Sequence, residues 1–218
     1  PFIGDYGISK NPESLAWDQF RIYFTDAQRG AVLRLSRDGL TPISNVGMKT
    51  YFRENLRMCD NAIGTFDIVN GEYNLTLDIK NEWQIDPMTI TFNEGGKGWV
   101  SFKSFIPSCG VSVAGKYLTA PSNFHEGFDN TPNPINKIWL HNDNTVNRNK
   151  FYDKNNGSEI EILFNDSPGS IKSFKSINYE GSQARISEFT TQSIEDATGT
   201  VVDSINTDGD GEYYNLSG

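Results

Sequence analysis

The run Asn206-Thr-Asp208-Gly-Asp210-Gly211 has the D/N-x-D-x-D-G form of the first half of an EF-hand loop. Oxygen-bearing side chains at alternate positions of such a turn converge on one hard cation. That makes Asn206, Asp208 and Asp210 the candidate calcium ligands. The twelfth position is Ser217, where a bidentate Glu would complete the coordination. Half a ligand set without flanking helices is also what a Gly-rich β-turn looks like.

Other residue types suggest chemistry but do not assemble it. His125-Glu126 and His141 could serve as acid–base or metal groups, yet neither histidine lies in an H-E-x-x-H or H-x-x-x-H pattern. Glu159 and Glu161 point to one face of a strand, as a glycosidase pair would, but strand alternation alone gives that spacing. No G-x-S-x-G and no P-loop occurs, and nothing nominates a triad, so neither an enzyme nor a cofactor site is expected. Cys59 and Cys109 form no C-x-x-C pair and are expected as free thiols. Asn74, Asn156, Asn165 and Asn215 each begin N-x-S/T, a match expected by chance in an Asn-rich chain. Trp99, Trp139, Tyr117 and Phe128 could line a sugar-binding surface or fill a core.

Six of the eight arginines, Arg21, Arg29, Arg34, Arg37, Arg53 and Arg57, lie within 37 residues. They are the interface or channel candidates: a basic patch could face phosphate or an acidic partner subunit, or simply line solvated faces.

The elements that must position these residues are mostly strands. Phe20–Phe24 and Ala31–Leu35 flank a turn at Thr25–Gly30, and Arg37-Asp38-Gly39 closes the hairpin. Asn45 to Met58 is the best helix segment, with Asn45 as a possible cap and Met48, Tyr51, Phe52, Asn55 and Leu56 at helical spacing. Gly47 weakens it. Thr65–Val69, Asn70-Gly71 and Glu72–Leu77 form the clearest hairpin, with Asn-Gly suited to a two-residue type I′ turn. Alternating Leu75, Leu77 and Ile79 predict one buried face. Met88–Phe92 and Trp99–Phe102 flank a Gly-rich turn. Further strands are expected at Pro107–Val113, Lys116–Thr119, Ile138–His141, Glu159–Phe164, Ile171–Tyr179, Thr200–Ile205 and Glu212–Leu216, with a loop at 121–136. Three segments, IYFTDAQRGAVLRL, ITFNEGGKGWVSF and IWLHNDNTVNRNKFY, share the grammar of a hairpin.

The chain is thus expected to be all-β, a sandwich, barrel or piece of a propeller with one short helix. Three segments are expected: 1–60 with the first strands and the helix, 61–185 as an antiparallel β domain, and an acidic segment at 186–218. That last segment holds seven acidic residues and no Lys or Arg. The 218 residues carry a net charge of −9, which argues against a general nucleic-acid binder. Aromatic residues at 12% exclude a disordered chain, and no apolar run is long enough for a transmembrane helix. A first residue Pro1 is the mark expected of a processed product or excised fragment.

Residues 22–44, IYFTDAQRGAVLRLSRDGLTPIS, then Gly47-Met48 and Tyr51-Phe52, resemble a segment of tail proteins from short-tailed double-stranded DNA phages. The order continues through Gly64–Asp67, Asn70–Leu77, Thr89–Asn93, Lys97–Phe102, Pro107, Ile138–His141, Asn147–Asn149, Phe151-Tyr152, Phe164–Pro168, Lys172–Phe174 and Asn178–Gly181. Together, over roughly residues 11–185, these are similar to the nozzle, or muzzle, proteins that close the tail tip, as found in crAss-like phages.

The resemblance implies a β-rich virion protein of the tail. It would form a homo-oligomeric ring, typically sixfold, that lines or closes the DNA exit channel and takes part in genome ejection. It implies contacts with other tail proteins, with an upstream fragment of the same polypeptide released by proteolysis, and with double-stranded DNA in transit. Residues 20–37 would then be the last strands of a propeller. A carbohydrate- or receptor-binding β module at the tail tip is the alternative, and no membrane partner is implied. An acidic protein suits a DNA channel, because like charge keeps the phosphate backbone from sticking.

Overall fold

The computed structural model describes residues 6–8, 10–79, 86–122, 137–160, 169, 171, 176–177 and 214–215. The chain divides into two compact units, Pro1–Glu159 and Ile160–Gly218. The described residues are antiparallel β with one α-helix, as the strand-rich sequence implies, and none of their sheets closes into a barrel.

The first unit holds three main sheets. β1 (Ala16–Trp17), β2 (Ile22–Asp26), β3 (Ala31–Ser36) and β4 (Gly39–Pro42) form a meander in sequential order. So do β5 (Cys59–Asp67), β6 (Glu72–Ile79), β7 (Met88–Asn93) and β8 (Gly98–Lys103). β9 (Pro107–Val113), β10 (Lys116–Pro121) and β11 (Trp139–Leu140) make a third sheet, and β12 (Lys150–Phe151) pairs with β13 (Lys154–Asn155). In the second unit Ser176–Ile177 pairs antiparallel with Tyr214–Asn215.

Carboxylates shape the turns. Asp18 Oδ1 accepts from the Phe20 and Arg21 amides at 2.6 Å each, turning the chain from β1 into β2. Asp26, 3% exposed, accepts from the Arg29 amide at 3.0 Å ahead of Gly30, whose φ of +63° admits β3.

Four expectations are corrected. The helix α1 spans Lys49–Met58, not Asn45–Met58: Ile43–Asn45 is a 3₁₀ turn, Gly47 takes φ +74°, and Met48 rather than Asn45 is the N-cap. A left-handed glycine cannot continue a right-handed helix. The Asn70-Gly71 turn is a four-residue loop, Ile68–Gly71, between the paired Asp67 and Glu72. The Asp67 carboxylate takes the Val69 amide at 2.9 Å and the Asn70 side chain at 2.9 Å, which wins over the tighter turn. The segment IWLHNDNTVNRNKFY is not a hairpin, because Trp139–Leu140 pairs with β10 while Lys150–Phe151 pairs with β13. Glu159 and Ile160 are not in a strand. The remainder of Glu159–Phe164, nearly all of the 121–136 loop, and Thr200–Ile205 lie outside the described residues.

Sheet β5–β8 is the middle layer. One face, including Phe66, Tyr73, Leu75, Leu77, Ile90 and Phe92, joins the core. Tyr23 from β2 stacks on Phe66 and Tyr73 with ring centroids 5.6 and 4.9 Å away, and Phe52 from α1 lies 4.4 Å from Trp99. Sheet β1–β4 and α1 therefore cover this face together. Gly64 lets the Ser14 carbonyl approach closely, and that carbonyl accepts from Tyr73 Oη at 2.8 Å.

The opposite face is polar and also buried: Thr65, Asn74, Thr76, Thr89 and Thr91 are each no more than 1% exposed. Sheet β9–β11 lies over it. The sequence predicts one buried face for these strands, and the structure buries both.

Candidate functional site

The six candidate arginines do not form one patch. Arg21 and Arg34 turn toward Glu94, at 3.3 and 3.1 Å, and Tyr23 Oη donates to the same carboxylate at 2.7 Å. This node ties β2 and β3 to the β7–β8 turn. Burial and the Glu94 carboxylate together push the Tyr23 hydroxyl far above its ordinary range. Arg29 is exposed and pairs with Asp26 at 3.1 Å. Arg53 and Arg57 lie on the solvent side of α1 with Lys49, one turn apart, and Arg53 pairs at 3.7 Å with Glu54. Arg37 is exposed at the β3–β4 turn. Arg29, Arg37, Arg53 and Arg57 are thus accessible, whereas Arg21 and Arg34 serve the fold.

The middle and third layers meet through a hydrogen-bonded network. Tyr117 Oη bonds Thr65 Oγ1 at 2.7 Å and receives the Asn74 amide at 3.4 Å, while Asn74 Oδ1 accepts from Thr91 Oγ1 at 2.7 Å. Thr76 and Thr89 share a bond of 2.7 Å, and Thr89 reaches the Phe105 carbonyl at 2.6 Å. Leaving any of these groups unpaired would cost about 1–3 kcal/mol, so the network fixes the register of the two sheets. Gly110 belongs to the same contact, since a Cβ there would press on Thr65 at 2.8 Å.

His141 sits at the edge of this network. Its Nε2 bonds Thr119 Oγ1 at 2.6 Å, and Thr119 also bonds Tyr152 Oη at 2.7 Å. Phe105 and Tyr117 flank the ring at 4.7 and 4.8 Å. Burial lowers its pKa to about 4, against a weaker upward pull from Asp67. The imidazole is neutral near pH 7 and held in aromatic packing. Among the described residues no group of three His, Cys, Asp or Glu side chains could hold a metal.

The remaining candidates are dispersed. Tyr117 is interior, Trp99 is partly buried against the core, and Trp139 packs on Tyr152 at 5.8 Å, so these aromatics do not share an open sugar-binding surface. Cys59 and Cys109 are free, the first buried and the second exposed. Phe128, His125, Glu126, Glu161, Asn206, Asp208 and Asp210 lie outside the described residues.

What the sequence does not reveal is the pair of outer faces. Trp17, Ile22, Leu35 and Leu40 are direct cross-strand partners in sheet β1–β4 and point away from the core. Trp17 is 67% exposed and Phe20, in the adjoining turn, 69%. On the third sheet Val111, Leu118 and Leu140 form a second such row. Val111 is 57% exposed, Val113 54%, and Ile138 76%. The two rows lie on the outermost layers of the first unit, on opposite sides of sheet β5–β8. Alternation in sequence marks two faces per strand; on the outer face of sheet β1–β4 only the end at Trp17, Ile22, Leu35 and Leu40 is open, since Ala31 and Leu33 on the same face are buried.

No helix among the described residues is long and apolar enough to cross a membrane. No curated protein and no solved structure matches the chain. Residues 146–215 match the family model of the crassvirus muzzle protein C-terminal domain. The match spans the last third of the chain; it overlaps the tail-protein resemblance over residues 146–185 and extends beyond it to residue 215. Over these residues the chain is similar to the crassvirus muzzle protein, a structural component of the phage virion tail.

Proposed function

We propose that this chain builds a homo-oligomeric ring at the tail tip, lining or closing the DNA exit channel and taking part in genome ejection. The observation that carries this reading is the pair of apolar cross-strand rows on the two outer layers of one unit. Exposed apolar area of this continuity marks an interaction surface. Two different faces on opposite sides suit heterologous contacts, which close into rings when the rotation allows. The two four-stranded meanders each have the strand number and order of one propeller blade.

In this reading the protein turns over no substrate. Its partners are further copies of itself in a sixfold ring, other tail proteins, an upstream fragment of the same polypeptide, and DNA in transit. Arg29, Arg37, Arg53 and Arg57 are available to an acidic neighbour. The acidic excess is concentrated in residues 160–218, which hold ten Asp or Glu against three Lys or Arg. Such a segment repels phosphate and favours passage over retention.

Native mass spectrometry of tail assemblies and of the isolated chain tests the reading. A discrete multi-copy mass is expected, with an upstream fragment co-purifying from the virion. A monomer of 24.4 kDa at all concentrations, with no co-purifying partner, would overturn it.

A further inference from the structure

We infer that Asn156-Gly157 is a site of spontaneous deamidation that opens the β12–β13 hairpin, and that the fold holds back the same reaction at Asn70-Gly71. These are the two Asn-Gly steps of the chain. Glycine has no Cβ to shield its amide, so its nitrogen can reach the preceding side-chain carbon. The glycine nitrogen bonds to Cγ, the Cγ–Nδ2 bond breaks, and Nδ2 takes the glycine proton and leaves as ammonia. Water then opens the cyclic imide at either carbonyl, giving aspartate or isoaspartate.

At Asn70 the structure opposes each step. Nδ2 donates to the Asp67 carboxylate at 2.9 Å and to Asn142 Oδ1 at 3.1 Å. The Asn70 carbonyl accepts from Asn93 Nδ2 at 3.4 Å, and the Gly71 carbonyl accepts from the Glu94 amide at 3.4 Å. The peptide that must turn is therefore held on both sides. Asp67 is 3% exposed. Cyclisation would break a hydrogen bond to its charge, build negative charge beside it, and leave a second carboxylate there.

At Asn156 the acceptors are neutral. Nδ2 donates to the Asn149 and Lys154 carbonyls at 3.2 and 3.1 Å. Gly157 is exposed and outside any strand, with open space about its Cα. Among the described residues nothing bonds its amide.

The hairpin gives this site its consequence. Its two-residue turn, Tyr152-Asp153, has φ of +52° and +66°, a conformation that Asn-Gly adopts far more readily than Tyr-Asp. Two residue pairs follow the turn, Lys150 with Asn155 and Phe151 with Lys154. Asn156 closes the hairpin, since its backbone amide also donates to the Asn149 carbonyl at 2.9 Å. A carboxylate at this position sets acceptor against acceptor, and isoaspartate lengthens the main chain. Either product removes the closing bonds.

Peptide mapping by mass spectrometry tests the assignment on the full chain, incubated at mildly alkaline pH both folded and in denaturant. For each site the rate in the folded chain is divided by its rate in denaturant. The ratio is expected to be close to unity at Asn156 and lower by about tenfold or more at Asn70, where a hydrogen bond to a charged group must break first. Comparable ratios, or a lower one at Asn156, would overturn the site assignment. Asn156→Asp is expected to speed tryptic cleavage after Lys154 relative to the unaltered chain, with circular dichroism showing that the rest of the fold is kept. Unchanged cleavage would overturn the opening of the hairpin.

Discussion

Acidification should destabilise the first unit through His141. The ring is flanked by Phe105 and Tyr117, and burial lowers its pKa from 6.5 to about 4. A histidine whose folded pKa lies below its unfolded value binds its proton more readily when unfolded. Its contribution is fully present above pH 6.5 and is lost as pH falls toward 4. Across this window the slope approaches about 1.4 kcal/mol per pH unit, which gives about 2 kcal/mol lost at pH 5 and about 3 kcal/mol at pH 4. Two charged neighbours act on the ring: Asp67 favours the proton and Lys103 opposes it. His141→Phe keeps the aromatic packing and removes the titration, while Thr119 retains Tyr152 as a partner. Urea midpoints should be measured from pH 7.5 to 4 for the unaltered chain and for His141→Phe. The unaltered chain should lose stability faster below pH 6.5, and the gap between the two profiles should close by about 3 kcal/mol relative to its neutral-pH value. Parallel profiles across that range would refute the reasoning.

The Glu94 node gives a second expectation: Glu94→Gln removes the charge facing Arg21 and Arg34 and weakens the Tyr23 bond, for a loss of about 1–3 kcal/mol in urea unfolding. Gly64→Ala and Gly71→Ala should differ sharply. A Cβ at Gly64 runs into the Ser14 carbonyl and should cost about 3 kcal/mol. One at Gly71 meets open space, and only its φ of +66° opposes it, at about 1 kcal/mol. Thermal melts of the two variants decide this, and equal losses would count against the close contact of Gly64 with Ser14. Maleimide labelling near neutral pH should modify one thiol per folded chain at Cys109 and reach Cys59 only on unfolding. Prompt labelling of both would show that Cys59 is not enclosed.

Much of the fold is legible in the sequence because local chemistry and tertiary structure agree there. The hairpins at Ile22–Ser36 and Met88–Lys103 follow from β-rich runs separated by turn residues. Where they disagree, a contact distant in sequence decides. Asn142, 75 residues from Asp67, donates to its carboxylate at 2.9 Å and helps hold the loop that replaces the expected tight turn. The polar side of β5–β7 reads as solvent-facing because threonine and asparagine alternate with leucine. It is buried because Tyr117, 52 residues beyond Thr65, supplies the partner that makes burial affordable. The arginine cluster is dense in sequence, yet pairing divides it: Glu94, 60 residues from Arg34, draws two arginines inward, and the others remain outside.

The same comparison bears on assembly. In the first unit polar side chains form an inner layer, while Trp17, Phe20, Val111, Val113 and Ile138 face outward. The buried polar layer lies beside the apolar core rather than replacing it, and the inner layer and the outer rows each have their own cause. A hydrogen-bonded layer of threonine, asparagine and tyrosine admits one register, since a shift of one residue would leave several buried groups unpaired. An apolar layer in that place would bind as strongly but tolerate sliding. The outer rows have no such network; they supply area without fixing direction, and gain their full value only against another surface. In the proposed ring, a unit held rigid by this inner layer would suit repeated addition of identical copies. Rigidity carries the angle between the two ends from copy to copy, and a constant angle is the condition for a ring to close.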